Sequence, residues 1–418
     1  MQKFKSYTLN KLEKIPQLSG LSEEQMEEIK IVSSIYPFKT NNYVLENLID
    51  WNNIPNDPIF RLNFPHKEML IPEHFEQLKR VRATGTKEEL KEVIYNIRMK
   101  LNPHPAGQKE LNGAFLEEKK LEGIQHKYKD ILLFFPSQSQ TCHAYCTFCF
   151  RWPQFINDLD FKIQSKEIDP LLKYLSENPQ ITEVLFTGGD PMIMNSRVLD
   201  SYIEPLLKVD SIKTIRIGTK ALSYWPYKFT TDEDAEGMLN VLRKITKAGK
   251  HLGFMAHFNH PKELEPPVVK EAIDKLRSIG AVIRTQSPLL RFINNDAKTW
   301  TTMWEKQVQL GCIPYYMFLP RDTGAQHYFA ETLENAHKLY TEAIRNCSGL
   351  ASTAKGPVMS MTHGKVEILG VKNNSYTLRY VKHRDHSKTF KTFIAEPITP
   401  NPMWIDDLVE VKEEVPNY

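Results

Sequence analysis

The sequence predicts an α/β protein whose centre is a partial barrel of parallel strands. Between about residues 131 and 350, short apolar runs alternate with segments whose apolar residues recur at helical spacing. Upstream the chain favours helices separated by prolines, and downstream it favours short strands with turn residues between them. We therefore expect three regions: a helical N-terminal region over 1–107, a partial (β/α)6 barrel over 108–359, and a small β-rich C-terminal appendage over 360–418.

Two capping boxes predict helices in the N-terminal region. Ser22 and Gln25 form one and Thr86 and Glu89 form the other, and apolar residues at helical spacing follow each pair. Residues 102–105, Asn-Pro-His-Pro, are typical of a stiff linker at the end of this region. Because nothing upstream of the linker carries recognisable chemistry, we expect the region to pack on the barrel as a cap.

Six strands with intervening helices are predicted in the barrel. Such units cross over with a right hand, so the strands should be parallel, and six are fewer than the eight that close a barrel. Gly249 is predicted to end one of the helices. The predicted strands are 131–135, 184–186, 214–217, 252–255, 282–284 and 315–318, and the predicted helices are 168–175, 198–207, 235–248, 268–279, 297–310 and 332–344. Strands 366–369, 376–380 and 389–393 are predicted for the appendage, whose expected role is a lid or an oligomer contact.

Composition and charge exclude several classes of protein. The chain has 418 residues, of which 41% are hydrophobic and 25% charged, as in an ordinary globular protein. A net charge of +3 is too small to favour nucleic acid or a membrane surface as a partner. No apolar run reaches the ~18 residues of a membrane span, and the first residues lack the apolar segment of a secretory signal. Cys312 and Cys347 are isolated in apolar surroundings, so we expect them to pack in the core of a protein from a reducing, cytoplasmic compartment.

Three cysteines form the most informative motif. Cys142, Cys146 and Cys149 follow the first predicted barrel strand with the spacing C-x3-C-x2-C. Iron–sulfur clusters normally take four cysteines, so three leave one iron open to a small molecule that chelates through an amine and a carboxylate. The alternatives are a zinc site, which lacks a fourth ligand at suitable spacing, and a C-x-x-C redox pair, which leaves Cys142 unexplained. The motif therefore predicts an iron–sulfur site.

Glycines and charged residues stand near the ends of the strands, where ligands bind in such folds. Gly188 and Gly189 allow a backbone to approach a ligand closely, and Asp190 offers an acceptor for an ammonium group, although the three could also form a plain turn. Arg151 lies two residues after Cys149 between aromatic neighbours. It places a cation beside the cluster, for which a substrate carboxylate is the natural partner.

Polar residues follow two later strands as well. His257 and His260 invite a metal interpretation, but no carboxylate or cysteine lies at ligand spacing, so we favour a role in lining the cavity. Gln286, Ser287 and Arg291 come after the fifth strand, where they could reach an adenosine or a phosphate.

Lys355 lies in a loop of small residues after the last predicted helix. In isolation it would be a solvated surface lysine. In this context it can form an imine with an aldehyde cofactor.

Together these motifs resemble the lysine 2,3-aminomutase family of radical S-adenosylmethionine enzymes. The cysteine spacing alone resembles that of the whole radical S-adenosylmethionine superfamily and does not distinguish its families. The other motifs occur in the order typical of this family, over roughly residues 100 to 370. The matching pieces are His126-Lys-Tyr128, the three cysteines with Arg151, Gly188-Gly-Asp190, His257-Phe-Asn-His-Pro261, Gln286-Ser287 with Arg291, Pro314-Tyr-Tyr316 and Lys355-Gly-Pro-Val-Met359.

The resemblance implies the radical S-adenosylmethionine kind of partial barrel and three cofactors: a [4Fe–4S] cluster on the three cysteines, S-adenosylmethionine and pyridoxal phosphate. A radical would take hydrogen from the β-carbon of an amino acid, and the α-amino group would migrate there. The implied cofactor contacts are Lys355 as an imine with pyridoxal phosphate, Lys127 and Tyr128 near its phosphate, and Gly188, Gly189, Asp190, His257, Gln286 and Arg291. Arg151 would bind the substrate carboxylate. An external electron donor of the flavodoxin or ferredoxin type and a homo-oligomer are also expected.

The sequence departs from the lysine-specific pattern where the substrate side chain would bind. In lysine-specific members two aspartates hold the distal ammonium; here those positions fall on Ser348 and on Arg321, or on Asp322 if the alignment shifts by one. We therefore expect a free amino acid with an acidic or neutral polar side chain. Three alternatives stay open: a family member acting on a lysyl residue of a protein, a radical enzyme without pyridoxal phosphate, and a non-catalytic iron–sulfur protein.

Overall fold

The computed structural model describes residues 2–103, 112–156 and 162–411, so the predicted boundary between 107 and 108 and part of the predicted linker over 102–105 lie outside the described residues. The strands are β1 (Ser6–Thr8), β2 (Lys39–Asn41), β3 (Gly113–Leu116), β4 (Lys119–Tyr128), β5 (Ile131–Phe134), β6 (Glu183–Phe186), β7 (Thr214–Thr219), β8 (His251–His257), β9 (Val282–Pro288), β10 (Ile313–Phe318), β11 (Lys355–Ser360), β12 (Gly364–Lys372), β13 (Ser375–His383), β14 (Thr392–Pro397) and β15 (Leu408–Val411). The α-helices are α1 (Glu23–Val32), α2 (Asn42–Asn47), α3 (Pro58–Asn63), α4 (Pro72–Thr84), α5 (Lys87–Lys100), α6 (Asp169–Glu177), α7 (Ser196–Leu207), α8 (Ala221–Tyr224), α9 (Ala235–Lys247), α10 (Pro267–Ser278), α11 (Ala297–Gln309), α12 (Gln326–Phe329) and α13 (Leu333–Arg345).

One large sheet organises the barrel region. In the described part of the chain, β3 to β15 lie side by side in sequence order, and β1 and β2 pair separately. The strands from β5 to β11 are parallel, as the alternation of strands and helices predicts. Since β3 and β15 are the edges of this sheet, the barrel is not closed, and the predicted α/β class with a partial barrel is confirmed.

The predicted helices of the barrel agree with α6, α7, α9, α10, α11 and α13, with ends that differ by at most two residues. Their apolar faces pack on the sheet in one continuous core. Gly249 ends α9 as predicted, with a φ of +73° that side chains other than glycine rarely adopt.

The strand β11 differs from the prediction. The sequence predicts six parallel strands and a loop at Lys355, whereas the structure begins a seventh parallel strand at that residue, with α13 as the crossover. Gly356 and Pro357 lower the strand propensity of the segment, which explains the missed strand. A glycine is needed at 356 because a Cβ there would lie 2.8 Å from the Cβ of Met317 on β10.

The N-terminal region forms its own apolar core, which also takes in Trp152 and Trp225 from the barrel region. Both predicted capping boxes form: Ser22 with Gln25 at the start of α1, and Thr86 with Glu89 at the start of α5. No helix in the described ranges is both long and apolar enough to cross a membrane.

The C-terminal strands extend the main sheet with antiparallel pairing. The third predicted strand, 389–393, was placed too early, because a turn over His386–Lys388 precedes β14, and β15 was not predicted. The sheet curls until β13 meets the opposite side: Lys382 lies 2.8 Å from the carboxylate of Asp130, just before β5. The hairpin β12–β13 therefore covers the opening of the partial barrel. The three regions expected from the sequence, with their boundaries, remain predictions.

Candidate functional site

The three cysteines lie half-buried in one loop after β5. Burial raises the pKa of each thiol, that of Cys146 to about 12. Cys146 and Cys149 also raise the pKa of Cys142, and Cys149 raises that of Cys146. Among the described residues, no group of three His, Cys, Asp or Glu side chains forms a site for a single metal ion. A [4Fe–4S] cluster places different requirements on its ligands, because each thiolate binds a different iron. Three half-buried cysteines in one loop fit a cluster with one iron open.

The end of β6 fixes the segment that leads into the first cysteine. The amides of Gly189 and Asp190 donate to the carbonyl of Ser139 (both 3.1 Å), and the Asp190 amide also donates to the carbonyl of Thr141 (2.8 Å). A Cβ on Gly189 would lie 2.4 Å from that Thr141 oxygen, and Gly188 adopts a φ of +134°. The two glycines are therefore required for the approach of β6 to the cysteine loop.

The carboxylate of Asp190 is buried and bound to protein donors. It accepts from the hydroxyl of Thr219 (2.6 Å) and from the amides of Met192 and Lys220 (both 2.9 Å). Burial raises the pKa of Asp190 and these hydrogen bonds oppose that shift. The side chain thus ties β6 to β7 beside Cys142, a role that the sequence did not reveal.

Two arginines flank one aromatic ring. The guanidinium of Arg151 lies 5.2 Å from the ring centre of Phe150, and that of Arg321 lies 5.5 Å from the same ring. Nη1 of Arg151 and Nε of Arg321 are buried without a hydrogen-bond partner in the described structure. The Arg321 Nε is 3.8 Å from a carboxylate oxygen of Asp322, which is an ion pair beyond hydrogen-bond distance. Burial lowers the pKa of Arg151 to about 10, and Arg321 contributes to the shift.

His257 and Gln286 lie together at the ends of neighbouring strands. Their Nε2 atoms are 2.8 Å apart, so the amide donates to a neutral imidazole. Burial, with smaller effects from Lys220 and Arg151, lowers the pKa of His257 to about 3. His260 is used locally, because its Nδ1 accepts from the amide of Lys262 at 3.2 Å.

Lys355 lies on β11, and Lys127 lies on β4 and reaches the turn that follows β11. Lys355 starts β11 opposite Tyr316, and its ammonium lies 5.8 Å from the ring centre of Phe390. The Lys127 ammonium donates to the carbonyls of Met361 and Gly364 in the turn between β11 and β12. Burial, and then nearby cations, lower the pKa of Lys127 to about 6. Tyr128, its neighbour, has a buried hydroxyl without a partner in the described residues.

Two predicted site residues are not brought to this group. Ser348 is exposed, and its amide and hydroxyl donate to the carboxylate of Glu305 at 2.5 Å and 3.1 Å. The guanidinium of Arg291 lies 5.1 Å from the exposed ring of Phe292, and no contact among the described residues joins it to the cysteine loop.

The N-terminal region contributes partners that sequence reasoning missed. The amide of Tyr145 donates to the carbonyl of Lys39 at 2.8 Å, and the amide of Thr147 donates to the carbonyl of Leu62 at 2.9 Å. The side-chain amide of Asn41, which is fully buried, donates to the carbonyl of His143 at 3.2 Å. The cysteine loop is thus held from two sides, by β6 and by the N-terminal region.

Near Cys146 lie three further residues without a sequence signal. The Cys146 sulfur is 3.7 Å from the hydroxyl of Tyr224, whose ring lies 4.3 Å from the ammonium of Lys220. That ammonium pairs with the fully buried carboxylate of Glu263 at 2.5 Å. None of the three belongs to a recognisable motif, so only the fold places them here.

Comparisons with known proteins relate the whole chain to one family. A "Putative L-lysine 2,3-aminomutase" of Aquifex aeolicus (strain VF5) is 31% identical over 398 residues, which cover 95% of this chain and 94% of the relative. The L-lysine 2,3-aminomutases of Methanococcus maripaludis and of Bacillus subtilis (strain 168) are 24% and 23% identical, over 79% and 75% of this chain and 65% and 56% of their own lengths. No family model matches the chain. Among solved structures, histidine-tagged anSMEcpe with bound AdoMet has a TM-score of 0.38 and 14% identity over 52% of this chain and 57% of that chain, a likeness too low to carry an argument.

The chain therefore belongs to the lysine 2,3-aminomutase family of radical S-adenosylmethionine enzymes. The resemblance that the sequence motifs indicated is confirmed. The roles of individual site residues remain predictions.

Proposed function

We propose that the chain is an amino acid 2,3-aminomutase that moves the α-amino group of a free amino acid to its β-carbon. Family membership supports the reaction class, and the three half-buried cysteines of one loop support a [4Fe–4S] cluster with an iron open to S-adenosylmethionine. When bound, the cluster with S-adenosylmethionine would supply a radical that removes hydrogen, and pyridoxal phosphate would carry the migrating amino group.

The residues around Lys355 fit pyridoxal phosphate. Lys355 is a primary amine at the start of a barrel strand, where it can bind an aldehyde carbon. The hydroxyl of Tyr128 is buried and lacks a partner in the described structure, so it can donate to an added oxygen. The nearby cations that lower the pKa of Lys127 favour an anionic ligand such as a phosphate.

The pair of arginines around Phe150 carries the proposal about the substrate. Each offers a buried guanidinium nitrogen without a hydrogen-bond partner in the described residues. Arg151 would bind the α-carboxylate, and Arg321 would bind a carboxylate or amide at the end of the substrate side chain. Asp322 offsets part of the charge of Arg321, which leaves a net positive charge across the three residues. We propose an acidic or neutral polar amino acid, because a lysine ammonium would face a like charge.

Comparing substrates in three proteins tests this proposal. Product formation from lysine, glutamate, aspartate and glutamine should be measured in wild type, Arg321→Ala and Asp322→Ala, with iron content checked in each. A buried like-charge contact costs several kcal/mol, so we expect wild type to prefer an acidic or neutral side chain over lysine by ~10²-fold or more. Arg321→Ala should erase the preference and Asp322→Ala should retain it. Preference for lysine that is lost only in Asp322→Ala would contradict the proposal.

Three accompanying features complete the proposal. They are reduction by an external flavodoxin or ferredoxin, a homo-oligomeric state, and a cytoplasmic location suited to an oxygen-sensitive cluster.

A further inference from the structure

Lys365, to which no motif points, lies beside the residues proposed to hold pyridoxal phosphate. It is the second residue of β12 and pairs with Ser360 on β11. Its ammonium lies over two aromatic rings, 5.4 Å from the centre of Tyr128 and 5.2 Å from the centre of Tyr316. Aromatic faces attract a cation, but they do not neutralise its charge.

The charge of Lys365 is not balanced by the protein around it. Its ammonium has no hydrogen bond and no ion pair among the described residues. Arg216 and Lys382 lie near it, but they pair with Glu183 (3.0 Å) and Asp130 (2.8 Å). Lys355 is a further neighbouring cation, and burial together with these charges lowers the pKa of Lys365 to about 8. A surplus of positive charge thus lies close to Lys355.

The ammonium of Lys365 and the hydroxyl of Tyr128 are available to bind an anion, whereas Lys127 is not. The Lys127 ammonium already donates to the carbonyls of Met361 and Gly364. It thereby holds the turn that leads directly into Lys365. The Tyr128 hydroxyl, in contrast, is buried with no partner in the part of the chain described here. Lys365 supplies a free cation and Tyr128 a free hydroxyl donor.

We propose that Lys365 and the Tyr128 hydroxyl bind the phosphate group of pyridoxal phosphate, while Lys127 positions the turn that carries Lys365. This inference rests on the proposed function, in which Lys355 binds the aldehyde end of the same cofactor. A phosphate monoester carries a charge of about −1.5 to −2 at pH 7 and accepts several hydrogen bonds. The phosphate therefore offsets the surplus positive charge around Lys365 and also accepts a hydrogen bond from the Tyr128 hydroxyl. A neutral ligand would not offset the charge.

The experiment compares pyridoxal phosphate with pyridoxal, which lacks the phosphate. Both are titrated by absorbance into cluster-loaded protein freed of pyridoxal phosphate, in wild type, Lys365→Met and Lys372→Met. Lys372 is an exposed lysine on the same strand and serves as the matched control. We expect Lys365→Met to weaken pyridoxal phosphate ~10-fold or more and pyridoxal less than ~2-fold, because only the charge-assisted contact to phosphate is lost. Equal weakening of both ligands, or no weakening of pyridoxal phosphate, would overturn the inference.

Two further measurements separate this inference from a structural role and from failure of the proposed function. Without ligand, Lys365→Met should melt at or above the wild-type temperature, because it removes one positive charge that is repelled by its neighbours. A lower melting temperature, together with equally weakened binding of both ligands, would assign a structural role to Lys365 and overturn the inference. Borohydride should fix pyridoxal phosphate to wild type and not to Lys355→Ala. If wild type takes up none, the proposed function fails and this inference with it. If wild type binds pyridoxal phosphate and Lys365→Met prefers it over pyridoxal as strongly as wild type does, this inference alone fails.

Discussion

The thiols of Cys142, Cys146 and Cys149 lie where a bare thiolate is unfavourable. Burial raises the pKa of all three, and neighbouring cysteines raise the pKa of Cys142 and Cys146 further, so at neutral pH the metal-free thiols are protonated. Iron must displace those protons, and the apparent affinity for iron should therefore rise with pH. The motif alone predicted these ligands, because its information is local in sequence.

Replacing any one of these three cysteines by alanine should abolish the [4Fe–4S] cluster after anaerobic reconstitution, because a ligand is lost from a set that has none to spare. The loss of the cluster is measured by the iron content of the protein and by the visible absorbance of the cluster. Cys312→Ala is the matched control, since Cys312 is buried among apolar residues away from the loop. A normal cluster in all three variants, or loss of iron in the control, would refute the assignment of ligands.

Other site residues could not be predicted because their partners are distant in sequence. Lys365 and Lys220 belong to no motif, and only the pairing of strands and loops brings them to the site. Ser348 is the opposite case: its predicted role came from an alignment, and in the structure it is exposed and donates to Glu305, so that role stays a prediction.

At the scale of elements, the N-terminal region does more than cap the barrel. Backbone carbonyls of Lys39 and Leu62 accept from amides inside the cysteine loop, and Asn41 joins that loop to α8 through the carbonyl of Tyr224 (3.0 Å). Sequence patterns predicted α1, α5 and their capping boxes correctly, but not the two short strands β1 and β2. They could not reveal these contacts, because the bonded groups are far apart in sequence, 102 positions for Asn41 and His143.

Asn41→Ala should disturb the cluster although it removes no ligand. The change leaves buried carbonyls of His143 and Tyr224 without a donor, at a cost of ~1–3 kcal/mol each. We expect lower iron occupancy and an altered electron paramagnetic resonance signal of the reduced cluster. Asn47→Ala, at the other end of the helix that Asn41 caps, removes only a local bond to Tyr43 and is the control. Equal iron content and identical signals in both variants would show that the loop does not depend on Asn41.

At the scale of the whole molecule, both ends of the chain enclose the barrel. The order of the parallel strands could be predicted, since it follows from the alternation of strands and helices. The closure could not, because it depends on contacts such as Lys382 with Asp130 and Arg384 with Asn112, between residues more than 250 positions apart. With β12–β13 across the opening and the N-terminal region on the cysteine loop, we expect a small substrate to enter more readily than a protein side chain.

This enclosure leads to a prediction that separates a free amino acid substrate from a residue within a protein. In a peptide the α-carboxylate is an amide, which cannot form a charge-assisted pair with the buried guanidinium of Arg151. Truncating one partner of such a pair costs ~2–5 kcal/mol, so the α-amide of the preferred amino acid should react at least ~30-fold more slowly than the free acid. Product formation and 5′-deoxyadenosine release should be measured for the acid, its α-amide and a tripeptide with the same residue at its centre. The amide and the tripeptide should both be poor substrates in wild type. If the tripeptide reacted as fast as the free acid, Arg151 would not bind a substrate carboxylate, and the alternative of a protein-bound substrate would be preferred.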